Sequence, residues 1–301
     1  MSPFPLSPWP ARAPRRVAAV ATLLALGPLV LGCAPEPAPP PVAAPSTSAP
    51  PVPTEPPAPT TPPTPAPPQL SQAELDDRLR EAAWANDVSA AEEFIARGAN
   101  VNAQDSTMQS AYLIATSEGH TELLRLTLAH GANVADLDSW NGTGLIRAAE
   151  RGHWAVAGEL IRADVPLDHV NRVGYQAIHE AVWFGRDDPS YHATIRVLAA
   201  GGVELDRPSV SEGLTPLQMA EWKGYPGSAA VLRAILQAPA PADPAAALLA
   251  AAGSGDANAV AVALRAQADP SSVDADGRSA RDIAEAAGHS AAAQVIRALG
   301  G

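Results

Sequence analysis

Downstream of Leu70 the apolar residues come in short helical bursts that recur. In SAYLIATSEG and TELLRLTLAH two such bursts are separated by a Gly-His step, and a polar, glycine-bearing stretch, GANVADLDSW, follows them. The pattern returns at a fixed interval: Gly119-His120, Gly152-His153 and Gly185 step by 33 residues, as do Ser110, Thr143 and Gln176, and Gly98 and Gly131. A period of that length, carrying helix, turn, helix and extended finger, predicts stacked units, none of which buries enough apolar surface to fold alone. Seven units are predicted, beginning near residues 71, 106, 139, 172, 211, 242 and 275. The fourth is lengthened by about six residues, mostly Arg186-Asp187-Asp188-Pro189-Ser190-Tyr191 between its helices. Between the fifth and sixth, QAPAPADP replaces a normal finger and predicts a break near residues 237–244. One stack with a defect is the expectation there, and two meeting sub-arrays the alternative. The predicted fold is an all-α repeat solenoid with short β-hairpin-like fingers, over residues 70–301.

Upstream the pattern changes twice. Arg12, Arg15 and Arg16 precede an apolar run, Val17 to Leu31, that closes on Cys33, the chain's one cysteine. The run is short for a transmembrane helix and interrupted by Pro28, so residues 1–32 predict a secretory signal peptide. Leu29-Val30-Leu31-Gly32-Cys33 resembles the lipobox of bacterial lipoproteins, although Leu31 is larger than the residue usual at its place. The resemblance implies acylation of Cys33, and several acyl chains would hold the protein to a bilayer. Residues 33–69 then read as a disordered spacer: nearly every second residue from Ala34 is proline, which favours an extended polyproline-like chain reaching roughly 100 Å. Export with a lipid anchor in the cell envelope is expected. Ala34 follows the cysteine where an inner-membrane lipoprotein often carries aspartate, so the outer membrane is one expected location. The outer face of the cytoplasmic membrane is the other, for a single-membrane bacterium.

The repeating residues resemble the ankyrin repeat. Its TPLH signature stands as Thr215-Pro216-Leu217-Gln218 and, degenerately, as Gln176-Ala177-Ile178-His179 and Ser279-Ala280-Arg281-Asp282. Finger starts recur as ARGANVNAQD at 96–105 and AHGANVADLD at 129–138. Each shared residue has a physical use: Thr or Ser caps the first helix, Pro is tolerated in its first turn, and the glycine between helices permits a reversal.

Charge narrows the partners. After Cys33 stand 17 basic and 32 acidic residues, a net charge of −15, which disfavours nucleic acid and anionic membrane surfaces as ligands of the folded part. Catalytic and metal chemistry find no foothold. His120, His153 and His289 sit at the Gly-His step of the repeat, and His179 takes the histidine position of the TPLH signature. SVDADGRSARDI resembles part of a calcium loop through Asp274, Asp276 and Gly277. However, Ser272 stands at the first ligand position and Ile283 where a bidentate glutamate is needed. No phosphate-binding loop or nucleophile elbow is found, so a non-enzyme without cofactor or metal is expected.

The tryptophans carry the remaining signal. In register, Trp84, Ser117, Glu150, Trp183 and Trp222 occupy one equivalent site at the end of the first helix. The resemblance implies that this site, with the finger tips, lies on a concave face. Trp140 at a finger tip, Tyr175 after a finger glycine and Phe184 beside Trp183 join them, with Arg151, Arg172 and Lys223 among them. Six of the 13 aromatic residues fall in this set, the kind of side chain that supplies most binding energy at interfaces. The sequence therefore predicts a monomeric, membrane-tethered scaffold that binds an envelope protein through its concave face. A glycan or cell-wall ligand stacking on the indoles is the alternative.

Overall fold

The structure, a computed structural model, describes residues 70–301; the expected signal segment, Cys33 and the proline-rich stretch lie outside the described residues. Fourteen α-helices follow in antiparallel pairs among the described residues. They are α1 (Gln72–Ala85) and α2 (Val88–Ala96), α3 (Ala111–Glu118) and α4 (Thr121–Ala129), α5 (Gly144–Glu150) and α6 (Trp154–Arg162), and α7 (Ala177–Phe184) and α8 (Pro189–Gly201). Then come α9 (Pro216–Trp222) and α10 (Pro226–Gln237), α11 (Pro244–Ser254) and α12 (Ala257–Arg265), and α13 (Ala280–Ala286) and α14 (Ser290–Ala298). None of these is long and apolar enough to cross a membrane.

The first helices begin where the sequence places hydroxyls. Ser110, Thr143, Thr215 and Ser279 each accept a hydrogen bond from the N–H three residues on, at 3.1–3.4 Å. Glu74, Gln218 and Asp282 reach back to close capping boxes on Ser71, Thr215 and Ser279. The reversal between paired helices uses a left-handed residue such as Gly119 (φ 78°) or Gly152 (φ 73°). At Gly119 a second reason applies: an added Cβ would lie 2.8 Å from the His153 ring of the next unit, whose Nε2 bonds the Ser117 carbonyl at 3.1 Å. The Gly-His step is thus a packing joint between units, repeated at Gly255 and His289.

The fingers are narrow turns, closed among the described residues by isolated bridges Leu137–Thr143 and Val273–Ser279. Asp105, Asp138, Asn171 and Asp274 build them, each accepting two main-chain N–H bonds from the tip it precedes. The partial calcium pattern resolves here, because Asp274 bonds Asp276, Arg278 and the Arg278 side chain.

Gly185 departs from its equivalents. Its φ is −63°, and the reversal is made instead by Arg186 (φ 46°) and Asp187 (φ 57°) in the inserted segment. The insertion is structural: Asp187 accepts hydrogen bonds from the Gly227 and Ser228 N–H groups at 2.9 and 2.7 Å, and so caps α10 in the following unit.

The expected single stack gives way to two sub-arrays. Helices α1 to α10 stack unit on unit, and α11 to α14 form a second pair of units, but α11 does not continue the stack on α9. Instead α12 packs on α8, and α14 on α6 and α8, so the second pair folds back over the second-helix layer. Three features make this possible. The segment after α10 turns extended at Ala238 and carries Pro239 and Pro241, which cannot build a finger ladder. Helices α8 and α12 are buried nearly all round, as helices apolar on every face must be. At Gly158 in α6, an added Cβ would stand 2.3 Å from the Ala298 carbonyl, so the helices meet at backbone contact. Arg265 seals the junction, its guanidinium donating to the Ala199 and Val203 carbonyls at the end of α8 at 2.8 and 2.9 Å.

Candidate functional site

Trp84, Trp183 and Trp222 stand at the ends of α1, α7 and α9, with Ser117 and Glu150 at the equivalent ends of α3 and α5. The Trp183 and Trp222 rings stack with centroids 5.9 Å apart, and Lys223 Nζ lies 4.0 Å from the Trp183 centroid. Trp222 nevertheless stays 64% exposed, so stacking holds its ring without hiding it. Trp84 is exposed too, but no aromatic stands at Ser117 or Glu150 to link it to the others.

Tyr175 is a correction. The sequence places it among exposed contact residues, whereas it is 3% exposed, packed 5.6 Å from Trp183 and donating its hydroxyl to Glu212 at 2.6 Å. Gly174, left-handed at φ 101°, turns the chain so that the next residue points back into the stack. Burial and the Glu212 carboxylate push its phenol upward in pKa. Arg151 is exposed, paired with Glu118 at 2.6 Å, and does not line the pocket described below. Arg172 is exposed, and its main-chain N–H donates to the Trp140 carbonyl, tying neighbouring fingers together.

Four of the expected residues, Trp140, Tyr175, Trp183 and Phe184, line one open pocket of about 510 Å³ between the fingers and the ends of α5 and α7. Its remaining lining holds three acidic residues, Glu150, Glu180 and Glu212, with Arg147, Asn171 and Val173. Arg147 is already committed, pairing with Asp138 at 3.0 Å and Glu150 at 2.5 Å. Glu212 accepts from Tyr175 and from Ser209.

Glu180 differs from the rest. It is 4% exposed; Oε1 accepts from Asn171 Nδ2 at 2.6 Å, and Oε2 has no hydrogen-bond partner. Burial pushes its carboxyl up to about 7, with Glu150 adding to the effect and the Asn171 bond opposing it. Such a group is a common mark of a functional site. Sequence reasoning passed over it, although a signal exists. Counting by the repeat, Glu180 and Arg147 share a register with Ile114 and Met219, both fully buried, so charged residues stand where other units place core.

The histidines serve the fold. His179, 1% exposed, directs Nε2 to the Arg207 carbonyl at 3.1 Å, and burial lowers its pKa. Among the described residues no three His, Cys, Asp or Glu side chains gather into a group able to hold a metal ion.

Comparison with known proteins gives concordant matches. The family model for ankyrin repeats (3 copies) matches residues 79–169. The ankyrin repeat protein YahD of Escherichia coli (strain K12) is 28% identical over 131 residues, covering 42% of this chain and 64% of YahD, just under two thirds of its length. The solved ankyrin repeat protein EF0377 is 31% identical, covering 54% of this chain and 84% of that one, with a TM-score of 0.50. An ankyrin repeat domain from Acinetobacter baumannii AYE is 39% identical, covering 51% of this chain and 78% of that one, with a TM-score of 0.48.

Proposed function

Since the chain belongs to the ankyrin repeat family, whose stacked units generally mediate protein–protein interaction, we propose that it is a scaffold taking a protein partner on its finger and first-helix face. The observation that carries this reading is the pocket that gathers Trp140, Trp183 and Phe184 with three glutamates on that face, beside the exposed Trp222. Partially exposed aromatics held rigid by their neighbours cost little entropy on binding, and so supply affinity. The second-helix layer offers less, because α12 and α14 already cover α8 and part of α6. The scaffold acts without catalysis, in the manner typical of ankyrin repeat proteins.

We further propose that the scaffold works in the cell envelope, anchored through Cys33 and spaced from the lipid by the proline-rich stretch. The lipobox-like LVLGC, preceded by a basic and apolar leader, supports this. Fractionation with radiolabelled palmitate tests it: label should follow the protein into the membrane fraction and vanish in Cys33→Ser, and an unlabelled wild-type chain would contradict the anchor.

Affinity capture from envelope extract tests the face itself, comparing the wild-type chain with a Trp183→Ala, Phe184→Ala, Trp222→Ala variant shown to be folded by circular dichroism. A protein held by the first and released by the second is the expected result. Equal retention would move the interface elsewhere. Retention of the chain on purified peptidoglycan, lost in the same variant, would replace the protein partner with a glycan.

A further inference from the structure

We infer that the pocket between α5, α7 and the adjoining fingers is a receptor for an alkylammonium group, supplied by a lysine side chain of the protein partner. This deepens the scaffold reading above and rests on it.

Three observations point to a cation. The first is the unpartnered oxygen. Glu180 Oε2 is buried without a donor, and a buried acceptor left unsatisfied destabilises the fold, more so when charged. The fold does not require a carboxylate there, because Ile114 and Met219 fill the same register in other units with no exposed surface. An incoming N–H donor would satisfy the oxygen.

The second is charge. Glu150, Glu180 and Glu212 line a space whose cation, Arg147, is already shared between Asp138 and Glu150. The excess is negative, which attracts an ammonium and repels carboxylate or phosphate ligands.

The third is the wall. Trp140 and Phe184 are 55% and 43% exposed and open to the pocket, and indole and phenyl faces attract cations within about 6 Å. The molecule itself makes such contacts, the shortest of those among the described residues being Lys223 over Trp183 at 4.0 Å. Lys223 is the one lysine in this sequence and is held on that ring, so the folded units supply no second lysine to the pocket.

Protonation follows from the geometry. Glu180 faces Arg147 and Glu150 on α5, Asp138, Asn171 and Tyr175 on the fingers, and Glu212 beyond them. With its carboxyl at about 7, entry of a cation displaces a proton to solvent. Affinity should therefore rise by up to about tenfold between pH 6 and 8.

The test uses the full chain and Nα-acetyl-lysine methylamide as probe, followed by indole N–H resonances and by calorimetry. Saturable binding is expected, with proton release near neutral pH. The neutral Nε-acetylated probe should bind at least tenfold more weakly, as should the lysine probe to Glu180→Gln. Glu122→Gln, on the exposed side of α4, should leave affinity unchanged. Equal binding of the neutral probe, or no saturation by tens of millimolar, would overturn the inference. Tetramethylammonium binding tenfold tighter than the lysine probe would reassign the pocket to a free quaternary amine. Partner capture that survives Glu180→Gln and chemical acetylation of the partner's lysines would leave the scaffold standing and remove the lysine.

Discussion

Glu180 sets stability against binding. A carboxyl whose folded pKa lies above its unfolded value holds more protons folded than unfolded between those values, so stability falls as pH rises from about 4.5 to about 7 and levels off above. The loss is at most about 3 kcal/mol. Glu180→Gln, neutral at every pH, should recover most of it at pH 8 and change little at pH 4, in urea unfolding at the two pH values. A wild-type chain equally stable at both would mean that the carboxyl is not held protonated by burial. Asp187 has the opposite sign. Partial burial pushes its carboxyl up, but the bonds from Gly227, His192 and Ser228 outweigh that and hold it down at about 2. Its contribution is complete above about pH 4 and fades as pH falls through 2. Asp187→Ala should cost about 1–2 kcal/mol at pH 7 by uncapping α10, measured by thermal melting. No change would show the insertion to be ornamental to the fold.

At the scale of the helix, local chemistry was legible and distant packing was not. Caps at Ser110, Thr143 and Thr215 and the left-handed Gly119 and Gly152 are dictated by backbone geometry, so their spacing revealed the units directly. The fold-back of α11 to α14 depends on which surfaces meet across sixty or more residues of chain, 62 and 66 for the Arg265 bonds. The hint was compositional: AVAVALR in α12 and ATIRVLAAG in α8 are apolar nearly all round, each broken by one arginine, more than one stacking contact needs. Gly158 is a point of backbone contact with α14. Gly158→Val should force α14 off α6 and cost about 1–3 kcal/mol, with faster hydrogen exchange in α14 and unchanged exchange in α3. Protection retained in α14 would contradict the contact.

For the whole molecule, the fold-back divides the labour between two surfaces. The second-helix layer, partly covered by the chain's own C-terminal units, is used for stability, and the finger and first-helix face carries the aromatics. The tryptophan register made that face legible in advance. The pocket was not, because Tyr175 and Glu180 become neighbours only when the Asn171 finger closes over α7, and the signal at Glu180 shows only when the units are aligned position by position. On the proposed reading, partners dock on this face. Site-specific photocrosslinking in intact cells tests it most directly, with a photoreactive residue at Val173 on the pocket rim or at Glu122 on the exposed side of α4. A discrete crosslinked protein from position 173, absent from position 122, is the expected result. Crosslinks from 122 alone would place the partner on the second-helix layer and contradict the assignment.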